Sequence, residues 1–455
     1  MPTITSNTTL HDRVAALMPR AHDDLAALVA CRSVADPRQF PAEECLKAAQ
    51  LVIEGFTQAG LHDVRLEETP DGHPAVFGQR PAPEGAPTVL LYCHYDVQPP
   101  LDPAGDAWKT PPFELHERDG RWYGRGAADC KGNIVAHLTA LRALGSDLPV
   151  GVKLIAEGSE EQGTGGLERF VPAHADLLRA DTIIVADVGN FAVGVPTLTT
   201  ALRGYAEVLV TVSTLATPMH SGMFGGPAPD ALLALIDMLA TLRDARGNTT
   251  ITGLAADGRW QGVDYSGEQF RTDAHVLEGV DLLGDGRVSD LLWARPAVTV
   301  LGIDCPPVVG SAPAIPAQAR ALVSLRVPPG LDAQRAQDAL AKHLRAAAPW
   351  HVKVEIESET PGQPFSATTG GPAYATMDHA LEEAFGQPVS TEGAGGSIPL
   401  CNVLAETFPE AEIMLLGVEE PRCLIHAPNE SVDPGEIERI ALAEALFLGS
   451  YAAAR

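Results

Sequence analysis

Positive charge is scarce in this chain. Against 59 Asp and Glu stand only 32 Lys and Arg, a formal net charge of −27 over 455 residues. A surface of that sign repels phosphate backbones and anionic headgroups, which argues against nucleic acid or a membrane as partner. Cysteine is sparse as well. The seven residues (Cys31, Cys45, Cys93, Cys130, Cys305, Cys401 and Cys423) are odd in number and include no C-x-x-C pair. That argues against a disulfide framework or a cysteine-based zinc knuckle and points to a reducing compartment. No apolar run of about 18 residues occurs, so no membrane span is predicted. Met1–Leu10 has no basic stretch followed by an apolar one, so no secretory leader is predicted and the expected location is cytoplasmic. A P-loop and a G-x-S-x-G elbow are missing. So is the third glycine that would make Gly124-x-Gly126 a dinucleotide loop.

The remaining composition is that of a folded protein. Hydrophobic residues make up 45% and charged residues 20%, while 43 Gly and 37 Pro imply many turns. At about 150 residues per domain, the length predicts two or three domains. A core of that size needs no disulfides.

Helical periodicity covers about Leu10 to Val34 and again Ala42 to Ala59, ended by Gly60. Thr88–Cys93, Val152–Ala156 and Thr182–Ala186 are short apolar runs of the kind buried parallel strands show. Gly132–Leu144 reads as a helix between the first two of them. Strand and helix alternate, which predicts an α/β layer with a mostly parallel central sheet and flanking helices. The pattern changes near Arg203. Tyr205–Val212 alternates like a half-exposed strand, Asp230–Arg243 is an apolar helix, and Gly247–Gly286 is polar and loop-rich. Ala297–Leu301, Ala319–Val327 and Val352–Glu357 read as strands, with a helix over Ala333–Ala347. Pro372–Phe385, a strand at Glu412–Leu416 and Pro434–Ala453 return to the first style. The predicted layout is an α/β domain in two parts, 1–202 and 359–455, interrupted by a smaller α+β domain, 203–358.

The residues after the first-domain strands are unusual. His94 and Asp96 follow Thr88–Cys93, Glu160 and Glu161 follow Val152–Ala156, and Asp187 follows Thr182–Ala186. Asp129 stands just before a helix, and His426 lies far downstream. Ligand sites in open α/β sheets gather at the carboxyl ends of strands. Carboxylates crowded there repel one another unless a cation joins them. Two His and three carboxylates offer the nitrogen and oxygen donors suited to zinc, with manganese and cobalt as alternatives. Two divalent ions, three carboxylates and one hydroxide sum to zero charge. Two such ions, about 3.5–4 Å apart, activate a shared water and polarise a carbonyl. One of two adjacent glutamates then binds metal while the other takes the proton.

In this order the motifs resemble those of the di-zinc peptidases of the carnosinase and cytosolic nonspecific dipeptidase type. The wider group includes aminoacylase, acetylornithine deacetylase, succinyl-diaminopimelate desuccinylase and glutamate carboxypeptidase. The resemblance rests on His94-x-Asp96, Gly124-Arg125-Gly126 before Asp129-x-Lys131-Gly132, Glu160-Glu161, Asp187, His220-Ser221-Gly222, Gly395-Gly396-Ser397-Ile398-Pro399 and His426. It runs from about Leu25 to the C-terminal helix. Val97-Gln98 and Leu202-Arg203-Gly204 favour the carnosinase-like branch.

The resemblance implies a catalytic α/β domain and an inserted lid or dimerisation domain. It implies two divalent metal ions per subunit, with Asp129 bridging them. Glu161 and His426 complete one metal site, and His94 and Asp187 the other. Glu160 is then the general base and Asp96 orients His94. His220 stabilises the oxyanion across the interface of a homodimer. Arg326, Gly396 and Ser397 clamp the substrate carboxylate. The implied reaction is hydrolysis of the amide bond of small peptides. An N-acyl-amino-acid deacylase is the alternative, and a non-catalytic ligand-binding member of the fold a more distant one. Two departures stand out. Cys130 replaces the frequent Asp after the bridging aspartate, where the family typically has a cis bond that is expected here too. Pro313 replaces an Asn or Thr, which removes a side-chain hydrogen-bonding group.

Overall fold

The computed structural model describes residues 7–102 and 104–454. Met1–Ser6, part of the stretch read for a leader, lies outside the described residues. The chain clusters into two units. The first holds the chain up to Thr200, Ala367–Glu392 and everything from Leu400. The second holds Ala201–Ser366 and Gly393–Pro399.

The central sheet of the first unit has the spatial order His62–Glu67, Ala75–Arg80, Gly151–Glu157, Thr88–His94, Thr182–Val185, Glu412–Leu415 and Thr197–Leu202. The parallel arrangement is confined to four central strands, from Gly151–Glu157 to Glu412–Leu415. The flanks are antiparallel. The central strands are the apolar runs of the sequence, and every residue of Thr88–His94 after Thr88 is buried. Such runs suit strands covered on both faces. Outermost, His62–Glu67 has no fully buried residue, as expected of an edge.

Helix Lys131–Leu144 is buried at every position except Arg142. It packs against helices Asn7–Ala30 and Pro434–Ala454. A helix apolar nearly all round belongs in the interior, and its polar residues there have partners. Lys131 Nζ donates to the carbonyls of Leu28 (2.8 Å) and Cys31 (2.9 Å), and Asn133 Oδ1 accepts from Val418 N (2.9 Å).

The second unit has a four-stranded antiparallel sheet in the order Ala297–Asp304, Gln318–Val327, Gly204–Ser213 and Lys353–Ser358. Period-two alternation sends Ala206, Val208, Val210 and Val212, with Ala321, Val323 and Leu325, into a core shared with helices Ala231–Ala240 and Ala333–Ala346. Both helices begin at an aspartate cap. Asp230 accepts from Leu232 N and Leu233 N, and Asp332 from Arg335 N. The stretch read as loop-rich contains a short helix, Gly267–Asp273. No helix among the described residues is long and apolar enough to cross a membrane.

Candidate active site

Seven of the predicted site residues belong to the first unit: His94, Asp96, Asp129, Glu160, Glu161, Asp187 and His426. His94 is the last residue of its strand and is fully buried. Its Nε2 lies 2.9 Å from Asp187 Oδ1 and 3.0 Å from Asp129 Oδ1. The other oxygen of Asp129, Oδ2, lies 2.9 Å from His426 Nε2. His426 Nε2 in turn lies 3.1 Å from Glu161 Oε2. Asp129 therefore stands between two groups, with one oxygen toward each histidine.

The electrostatics follow from this crowding. Burial, followed by the nearby Asp187, raises the pKa of Glu160 well above the usual carboxylate range. Burial also raises Glu161 and Asp187. Hydrogen bonds to Asp129 and Glu161 raise His426 to about 11. Burial opposes ionisation of Asp129, but the two histidines outweigh it and lower its pKa.

A third carboxylate joins Asp129 and Asp187. One oxygen of Glu419 lies within 4.8 Å of an oxygen from each of them. Glu419 Oε1 is sealed from solvent and has no hydrogen-bond partner among the described residues. Carboxylates this close are mutually repulsive without a cation. The donor set of imidazole nitrogens and carboxylate oxygens, together with that partnerless oxygen, fits divalent metal ions.

Supporting hydrogen bonds fix these side chains. Asp96 accepts the backbone N–H groups of Glu160 (3.1 Å) and Glu161 (3.0 Å) on its two carboxylate oxygens. Its backbone carbonyl lies 3.1 Å from His94 Nδ1. Asp96 thus holds the glutamate pair as well as the histidine. Gln98 donates from Nε2 to Glu161 Oε2 (2.8 Å) and from its backbone N to Oε1 (3.1 Å). Glu430 accepts from Gly126 N, Ala128 N, Asp129 N and Arg125 Nη1. The Asp129–Cys130 peptide is cis. Cys130 Sγ donates to Ala186 O at 2.9 Å, and burial pushes its thiol up to about 12.

Sequence reasoning assigned no role to Gln98, Glu419 or Glu430. Glu419 had a usable signal, since it follows a central strand by four residues and so lies at the same sheet edge as Asp187. Gln98 and Glu430 had none beyond adjacency to recognised motifs.

His220, Arg326, Gly396 and Ser397 belong to the second unit. His220 is exposed, and its Nδ1 accepts from Gly222 N at 3.1 Å. Its two-residue strand pairs with Ala314–Ile315. The carbonyl of Pro313 accepts from Ser221 N at 2.9 Å, so this position still contributes a main-chain contact. Arg326 lies opposite Tyr205. Gly396 is exposed and Ser397 half-buried, just before helix Pro399–Thr407.

Residues 90–449 match the model of the family described as peptidase family M20/M25/M40. The chain is 44% identical over 442 residues to a cysteinylglycine-S-conjugate dipeptidase from Corynebacterium striatum, with 95% of each chain covered. To the Beta-Ala-His dipeptidase of Rattus norvegicus it is 28% identical over 400 residues, covering 82% of this chain and 79% of that one. Its fold is similar to the solved structure of the di-peptidase Dug1p from Saccharomyces cerevisiae, with a TM-score of 0.82, 22% identity and 99% of both chains covered.

Proposed function

The chain belongs to peptidase family M20/M25/M40, and from that premise we propose that it hydrolyses the amide bond of dipeptides at a dinuclear metal centre with Glu160 as general base. The observation that carries this reading is Asp129, whose two oxygens face His94 and His426 separately. Asp129 would be shared by both ions, Glu161 and His426 would hold one, and His94 and Asp187 the other. Zinc suits this mixed nitrogen and oxygen set, with manganese and cobalt as alternatives. Bound ions supply Lewis acidity and lower the pKa of water toward about 7.

The chain's own residues do the rest. Glu160, kept by burial in a state that favours a proton, accepts one from the attacking water and delivers it to the leaving amine. Asp96 fixes the backbone of the glutamate pair. His220 of the partner subunit in a homodimer donates to the oxyanion. Arg326 and the Gly396-Ser397 loop hold the terminal carboxylate. The boundaries 203 and 358 mark a lid and dimerisation domain. Seven free cysteines, six of them buried, fit a cytoplasmic enzyme.

The relatives named as dipeptidases favour dipeptides over N-acyl-amino acids. The test is hydrolysis by chelator-stripped protein, with and without added zinc, manganese or cobalt. Cysteinylglycine and β-alanyl-histidine are set against N-acetyl-amino acids with the same terminal residues. Metal-restored dipeptide cleavage is expected. Cleavage of the acyl substrates alone overturns the substrate class, and silence on both overturns the enzyme.

A further inference from the structure

Arg203 sits where the chain leaves strand Thr197–Leu202 and enters Gly204–Ser213. It is 9% exposed. Its side chain has no hydrogen-bond acceptor and no ion-pair partner among the described residues, and its Nε is sealed from solvent. A guanidinium in that condition is costly, because burial removes its water and nothing replaces it. The neighbours explain where a partner would come from. Arg203 also lines a cavity of about 800 Å³ with Arg243, Arg259 and Arg295. Those three are committed. Arg243 donates to Gly247 O and Val298 O, Arg259 to Asp290 Oδ2, and Arg295 to Gly258 O and Asp285 O. Arg203 alone of the four is left without an acceptor.

A second uncommitted arginine stands beside it. Tyr205 lies opposite Arg326 in the sheet register. Two residues along, Arg203 falls on the same face, away from the core that takes Ala206 and Leu325. Arg326 has no carboxylate partner among the described residues, whereas Arg320 on the same strand is paired with Asp304. Burial and the repulsion from Arg326 lower the Arg203 pKa to about 10. Gly395 closes on Arg203: a Cβ there would lie 2.9 Å from Arg203 Nη2. Two guanidinium groups, one of them buried against a glycine loop, with no counter-charge among the described residues, describe a site for an anion.

We propose that Arg203 is a substrate-binding residue that, with Arg326, receives the free C-terminal carboxylate of the dipeptide and makes the enzyme selective for it. The proposal rests on the dipeptidase reading for the identity of the anion. A planar carboxylate matches the two-pronged donor geometry of arginine, and every dipeptide with a free C-terminus presents one.

The test uses the metal-loaded enzyme, its R203Q and R203K variants, and two substrates, alanyl-glycine and alanyl-glycinamide. The wild-type protein should prefer the free acid. In R203Q the KM for alanyl-glycine should rise about 10- to 100-fold, the range for a lost hydrogen bond to a charged group. The amide should change by less than about threefold, so the acid-to-amide ratio collapses, and R203K should fall between. Equal losses on acid and amide in both variants would assign Arg203 a structural role and overturn the proposal, as would an unchanged ratio. R203K keeps the charge and the stem, so it answers the question if R203Q does not fold. A wild-type protein that cleaves neither substrate refutes the dipeptidase reading itself. Calorimetric binding of glycine then tests Arg203 alone: binding weakened in R203K supports the anion site, and equal binding refutes it.

Discussion

Glu430 accepts the backbone N–H of Asp129 at 3.1 Å across 301 residues of chain. The same carboxylate takes the N–H groups of Gly126 and Ala128 and lies 2.6 Å from Arg125 Nη1. One buried group thus fixes the backbone of the loop that delivers the shared aspartate and neutralises a guanidinium that is 1% exposed. Removing one member of a buried pair leaves the other charge uncompensated, which costs about 3–5 kcal/mol. E430Q is therefore expected to lose about that much stability in urea unfolding and to bind metal more weakly. A change under about 1 kcal/mol with unaltered metal affinity would contradict this account.

Glu160 and Glu161 are adjacent in sequence but differ in their contacts. Glu161 is held by Gln98 and faces His426, whereas Glu160 is tied through its backbone, its N–H to Asp96 and its carbonyl to Gly163 N. E160Q should leave metal content and KM near wild type and lower kcat by at least about 10²-fold, the lower range for general-base work. Parallel kinetics and metal analysis check it. A variant that loses metal in step with activity would make Glu160 a ligand instead.

Asp290 predicts an acid limit for the second unit. Burial alone would raise its pKa, but hydrogen bonds from Arg287, Trp260 N and Arg259 prevail and lower it to about 2. A carboxylate whose pKa is depressed on folding contributes stability above its unfolded value of about 3.9. That contribution fades as pH falls through the folded value. The stability gap between wild type and D290N should thus be constant above about pH 5 and shrink steadily toward about pH 2. Thermal unfolding over that range reads it directly, and a gap independent of pH would remove Asp290 as the cause.

Local pattern exposed these candidate site residues because His94, Glu160, Glu161 and Asp187 stand at or after the ends of apolar strands that only a covered sheet explains. The bounds of the segment Pro372–Phe385 were legible to the residue, and the structure makes it a helix, which proline opens and Gly386 closes in a left-handed conformation. The antiparallel flank was not legible. His62–Glu67 is polar and half-exposed, and its partner is chosen by contact rather than by pattern. Glu430 and Gln98 escaped for a related reason. Both act on residues far along the chain, Glu430 on backbone amides and Gln98 on the Glu161 carboxylate. Any Glu or Gln can make such bonds, and only the tertiary fold selects the one that does. Arg203 escaped because its signature is a missing partner, which a sequence never displays.

The dimer reading has a sharp consequence for His220. If His220 of the partner subunit completes each site, a site needs Glu160 from one chain and His220 from the other. E160Q and H220A homodimers should both be nearly inactive. When the two chains are mixed under conditions that exchange subunits, random pairing makes about half of the dimers hybrid. In each hybrid one site has both defects and the other has none. Activity should therefore recover to about a quarter of wild type, and the recovery should scale with the hybrid fraction measured by native mass spectrometry. If His220 serves its own chain, every hybrid site has one defect and mixing restores nothing. The same null result with a monomer by sedimentation would remove the dimer itself. Either way the measurement separates an exposed histidine that caps its own turn through Gly222 N from one that works across an interface.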